Sequence, residues 1–173
     1  MKKQFLVVMT LTAMVLLVAC ATPEPTKVPL GRNIKIGIID TYTGGPAVYG
    51  NDALNGWKLA LTDINKNGVL GVKIDYVTRD DKYDPTLAAT LAKELVLQEK
   101  VDVIVGTINS AASLVVSAYA KEQKVPFIVW IAKSENITGK SGHRYVFSTA
   151  ENTAMAGKAG AQLGYDWKWN AYA

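Results

Sequence analysis

From residue 34 onward, short apolar runs alternate with stretches of helical period, and this alternation constrains the fold more than any other feature. The apolar runs cover residues 34–39, 72–77, 101–105, 127–131 and 144–147. The third is apolar throughout except for Asp102, as expected of a strand covered on both faces. The first helical stretch, 51–65, carries Leu54, Trp57, Leu61 and Ile64 on one face, and Asn67-Gly68 ends it. The second opens at Asp84-Pro85, with Asp84 as cap and Pro85 at the first helical position. It carries Leu87, Leu91 and Leu95 at i, i+4 and i+8. Further helices are expected over 110–123 and 152–163, and a further strand from Trp167. Repeated strand–helix–strand units predict an α/β fold: a doubly wound parallel sheet with helices on both faces. Such sheets bind ligands beyond the carboxyl ends of their strands. The loops after strands one, three and four are therefore where function is expected.

The amino terminus has a different character. Lys2 and Lys3 precede an apolar stretch, residues 5–17, broken only by Thr10 and Thr12. It ends in Leu17-Val18-Ala19-Cys20, and Cys20 is the only cysteine. A positive start, a short apolar centre and a small residue at the cut site describe a secretory signal. Its last four residues resemble a bacterial lipobox, in which the cysteine is lipidated. Residues 1–19 then read as a lipoprotein signal peptide. Residues 20–33 read as a lipidated Cys20 followed by a tether whose three prolines keep it extended. The alternatives are a signal without lipid and a membrane span, but a span needs about 20 apolar residues. A lasting anchor takes more than one acyl chain, each buried CH2 contributing about 0.8 kcal/mol. With Cys20 consumed, no disulfide forms within the chain.

The sequence holds 19 Lys+Arg and 15 Asp+Glu. Lys2 and Lys3 leave with the signal, so 17 face 15 and the mature net charge is +2. The basic residues are scattered, and no nucleic-acid partner is expected.

The loop from Asp40 to Gly50 lacks G-x-G-x-x-G and lacks the Lys-Ser/Thr ending of a phosphate loop, so it gives nucleotide binding little support. For Tyr49, which closes this loop, ligand stacking and simple packing both stand open. Ser110 follows a buried strand and opens a helix, so it reads as an N-cap, as part of an anion-binding corner, or as both. It makes a poor nucleophile, because no G-x-S-x-G surrounds it and the sole histidine, His143, lies in a polar turn and reads as a surface residue. No enzyme activity is expected. Asp80, Asp81 and Asp84 match no calcium-loop spacing, and neither metal nor cofactor is expected. Lys133, after the fourth strand, is either a solvated loop residue or a charge beside the cleft.

Ile36-Gly37-Ile38, Thr43-Gly44-Gly45-Pro46 through Tyr49-Gly50, Asp63-Ile64-Asn65, Asp80-Asp81 with Asp84-Pro85, Val105-Gly106 and Val125-Pro126-Phe127-Ile128 form an ordered set. The set resembles the N-terminal lobe of branched-chain amino-acid-binding proteins, type I periplasmic solute-binding proteins that serve ABC importers. The resemblance implies two α/β lobes that close on a ligand. It implies ligand contacts at Tyr49 and Ser110, and at Ile131 and Lys133 after strand four. The resemblance implies a branched-chain or related amino acid or amide as ligand, but family members that bind amino acids usually place a threonine where Lys133 stands, and this departure opens an anionic or polar ligand as the alternative. Some members carry a disulfide in this lobe. The matching positions here are Tyr83 and Asn109.

The expected organisation is a first lobe over 34–165 and the start of a truncated second lobe over 166–173. The expected role is a lipid-anchored, extracytoplasmic solute-binding subunit. Its partners would be a small ligand (an amino acid, related amide or organic acid), ABC permease subunits, and the membrane through the anchor. A ligand-sensing receptor domain is the alternative. An exported hydrolase is less well supported, because it lacks a nucleophile–base pair.

Overall fold

The computed structural model describes residues 31–166. Five strands, β1 (Ile34–Asp40), β2 (Ile74–Asp80), β3 (Val103–Gly106), β4 (Phe127–Val129) and β5 (Val146–Ser148), form one sheet in the order β2-β1-β3-β4-β5. Every pairing is parallel, with Ile38 beside both Thr78 and Val105, and Phe127 beside both Ile104 and Val146. The helices are α1 (Ala47–Asn67), α2 (Pro85–Leu97), α3 (Ser110–Gln123) and α4 (Thr153–Asp166). The α/β, doubly wound reading of the sequence is borne out.

Period-two alternation sends neighbouring side chains to opposite faces. Ile39, Ile104, Phe127, Val129 and Val146 bury one face under α2 and α3. Those helices meet it with Leu95 and Val116 and with Ala88, Ala92, Ala112 and Ala120, the alanines small enough for close approach. Ile36, Ile38 and Val105 face the other way and meet Leu54 and Trp57 of α1. Asp102, the polar exception in its run, accepts from the Lys35 amide at 2.9 Å and from Arg32, which holds its carboxyl below the usual range.

Several boundaries differ from the sequence reading. Helix α1 begins at Ala47, before the expected 51. Strand β2 begins at Ile74 rather than 72, because Asn65 donates to Ile74 O and accepts from Ile74 N, both at 2.8 Å. It then runs on through Thr78-Arg79-Asp80, since an edge strand tolerates polar residues; Arg79 pairs with Glu94 and Glu99. Strand β4 stops at Val129, so Trp130 and Ile131 lie in the loop beyond it. His143 is half-buried rather than a surface residue, with Nε2 2.9 Å from Ser117 Oγ. The signal segment, Cys20 and the strand expected from Trp167 lie outside the described residues.

Candidate functional site

The strands β1, β3 and β4 end side by side, and a single carboxylate joins the loops that leave them. Asp40, the last residue of β1, is fully buried. Its Oδ1 accepts from Thr41 N at 2.8 Å and from Ile108 N, after β3, at 2.9 Å. Its Oδ2 accepts from Trp130 Nε1, after β4, at 2.5 Å. Burial pushes the Asp40 carboxyl up from its ordinary range, opposed by these donors and reinforced by the like charge of Asp81.

A second set of bonds fastens the loop after β2. Thr41 Oγ1 donates to buried Asp81 Oδ1 at 2.6 Å, and the Tyr83 amide donates to the same oxygen at 2.9 Å. Asn109 Nδ2 then donates to Tyr83 O at 3.0 Å. The two positions at which the family resemblance implies a disulfide in some members are thus joined here by a hydrogen bond. Burial raises the Asp80 carboxyl, but the Tyr42 and Lys82 amides and the Thr43 hydroxyl outweigh it and hold the carboxyl below its usual range. Asp84 caps α2 as its sequence predicted, accepting from Thr86 N at 2.7 Å.

Two glycines allow this closeness. Gly106 has φ +139°, and a Cβ there would stand 1.8 Å from Ile39 O. Only glycine adopts that backbone freely and leaves room for β1. A Cβ on Gly50 would stand 2.2 Å from Thr41 O, so α1 also starts hard against the first loop.

Ser110 is the first residue of α3, not its cap. Asn109 caps the helix, accepting from Ala111 N at 2.9 Å and Ala112 N at 3.4 Å. The Ser110 hydroxyl instead accepts from Ser134 N at 3.4 Å, across to the loop after β4. Tyr49 lies in the first turn of α1 and is 60% exposed, which disfavours the packing reading. Ile131 is half-buried beyond β4. Lys133 is exposed and pairs with Glu151, pulling that carboxyl below its usual range. Its charge is therefore already matched, which weakens the case it made for an anionic ligand.

Sequence reasoning missed a concavity of about 260 Å³ beyond β4 and β5. Ser134, Thr138, Ser148 and Asn152 line it with hydroxyl and amide groups, over Ile137 and Met155. These residues share no periodicity, so no pattern advertised them. The arrangement suits binding better than bond-breaking. His143 Nδ1 accepts from Tyr145 N at 3.2 Å, which assigns its proton to Nε2. The ring therefore donates to Ser117, whose carbonyl oxygen lies 3.0 Å away, and does not serve as its base.

Residues 33–165 match the family model for periplasmic binding proteins. The chain belongs to the periplasmic binding protein family. The Leu/Ile/Val-binding protein of Escherichia coli K12 is 25% identical over 142 residues, 82% of this chain and 38% of that protein. The isoleucine complex of a branched-chain amino acid transporter substrate-binding protein from Streptococcus pneumoniae is 33% identical, with a TM-score of 0.65. That likeness covers 70% of this chain and 34% of the other. A Rhodopseudomonas palustris ABC-transporter solute-binding protein in complex with benzoate is 27% identical, TM-score 0.72, over 79% of this chain and 38% of that one. This periplasmic binding protein sequence thus spans less than two fifths of the length of these relatives, and the part it spans is the α/β lobe described above.

Proposed function

We propose that the chain forms the first lobe of an extracytoplasmic solute-binding protein of an ABC importer. Its ligand is a small molecule of the amino-acid, amide or organic-acid class. The observation that carries this reading is the convergence of the loops after β1, β3 and β4 on one buried carboxylate, at the edge where parallel sheets take ligands. Relatives crystallised with isoleucine and with benzoate support a small carboxylate-bearing ligand. Tyr49, Ser110, Ile131 and Lys133 are the proposed contacts. The Ser110 hydroxyl and its neighbouring amides at the start of α3 suit a carboxylate. Lys133, held by Glu151, acts as a rim residue rather than as the main counter-charge. A docked permease and a lipid anchor on Cys20 complete the proposal.

Two measurements test it. Adding isoleucine or benzoate to the full chain is expected to shift the amide resonances of Tyr49, Ser110, Ile131 and Lys133. Silence with both ligands rejects them as the solute class. Mass spectrometry of the membrane-bound protein is expected to find an acylated Cys20, and Cys20→Ser to release the protein from membranes. Membrane association unaltered in that variant would reject the anchor.

A further inference from the structure

We propose that Asp40 is the positioning residue of this site: one buried carboxylate holds the loops after β1, β3 and β4 in the arrangement that presents Ser110 and Ile131 to a ligand, with Trp130 as the tie to β4.

The geometry supplies the reason. Thr41, Ile108 and Trp130 come from three separate loops, and all three donate to the same side chain. Ile108 lies two residues before Ser110, and Trp130 directly precedes Ile131. A shift of either donor therefore moves a proposed ligand contact. Further bonds fix the same frame: Ala132 N donates to Thr107 O at 3.0 Å, and Ser134 N reaches Ser110 Oγ. Neither of these gathers all three loops, as Asp40 does.

Among the described residues, no cation donates to this carboxylate. All three donors are neutral, and the charge facing it from the loop after β2 is Asp81, of like sign. The Tyr42 phenol, on its own loop, is pushed up by burial and by Asp40, Asp81 and Asp80, and so stays protonated. Asp80 is engaged with Tyr42, Thr43 and Lys82. Neutral donors can hold a buried carboxylate only while their geometry is good, because an ion in this setting is costly when poorly solvated. Protonation leaves a weaker acceptor and slackens all three loops together. The tie is thus strongest when Asp40 is ionised, and ligand affinity is expected to fall as the pH drops through its raised pKa.

The ligand half of this proposal rests on the solute-binding reading; the tie itself does not. The test is proton NMR of the full chain across pH, with isoleucine and benzoate as probes. The Trp130 indole proton, assigned by its loss in Trp130→Phe, is expected to titrate with the Thr41 and Ile108 amides at one midpoint above the ordinary aspartate range. Independent or absent titration would overturn the tie. Asp40→Asn removes that midpoint and sets its amide N–H against the Trp130 indole N–H. It is expected to weaken probe binding about tenfold to a hundredfold, the scale of a lost charge-assisted bond. The Asp40→Asn/Trp130→Phe double variant removes the opposed donors. It is expected to regain folding but not affinity, since β4 stays untied. Equal affinity in wild type and the well-folded double variant overturns positioning and leaves solute binding intact. No response of the wild type to either probe rejects the solute class, while the shared titration still judges the tie.

Discussion

The buried and half-buried carboxylates respond to acid in opposite directions. Asp80 and Asp102 have lowered pKa values, so the unfolded chain binds protons more readily than the folded one at those positions. Their stabilisation is present above the ordinary carboxylate range, about pH 4, and is lost as the pH falls through their folded values. Asp40 is raised, so the folded chain takes up its proton first. Its ionised form costs stability, and that cost appears as the pH rises through the raised value. Asp80→Asn is therefore expected to flatten the acid-side fall in urea midpoint. Loss of the Asp40 carboxyl in the Asp40→Asn/Trp130→Phe variant is expected to steepen it, because an offsetting protonation is gone. Denaturation curves collected between neutral and acid pH check both signs, and an unchanged slope in either variant contradicts its assignment. None of this was legible residue by residue in the sequence. Asp40 and Trp130 are 90 positions apart, and no local pattern joins a strand-end aspartate to an indole in the loop beyond another strand.

Among the elements, legibility followed how local the determining chemistry is. Asp84-Pro85 marked the start of α2 correctly, because a cap bonds amides two or three residues ahead. The bounds of α3 were read correctly but its cap was not, since Asn109 and Ser110 are both good caps and only the Asn109 side-chain Oδ1 turns onto the helix. Strand β2 shifted because Asn65, nine residues upstream, grips Ile74 from both sides. Strand β4 ended early because its next residue, Trp130, reaches across to Asp40. The two neighbours at the start of α3 can be separated by substitution. Asn109→Ala loses two cap bonds and the link to Tyr83, and is expected to cost about 1–2 kcal/mol of stability. Ser110→Ala gives up one long bond from Ser134, and is expected to cost about 0.5 kcal/mol at most while weakening ligand binding. Urea denaturation of both variants, with ligand titration of the second, separates capping from recognition. Equal stability losses would contradict the division of labour.

Across the whole described lobe, order is uneven. The α2–α3 face of the sheet holds most of the buried residues, including Leu95, Ile104, Val116 and Phe127. Helix α4 has no fully buried residue among those whose exposure is described, and Met155, Leu163 and Tyr165 lie open to solvent. A helix without a buried face draws little stability from packing. Amide hydrogen exchange is expected to be fastest in α4 and slowest in β1, β3 and α3; protection in α4 equal to that of the central strands would contradict this. The alternation of runs made the layered architecture legible, because each strand and helix shows its own periodicity. The concavity beyond β4 and β5 stayed hidden, because Ser134, Thr138, Ser148 and Asn152 come together only through folding.

The Asn109–Tyr83 contact has one more consequence. A hydrogen bond at that junction forms and breaks without an electron acceptor, so it is indifferent to thiols, oxidants and disulfide isomerases. Cys20 is the sole sulfhydryl of the chain and stands apart from the lobe's sequence. The α/β lobe therefore needs no oxidising compartment to assemble its loops, and its geometry should be the same whether it folds before export or after.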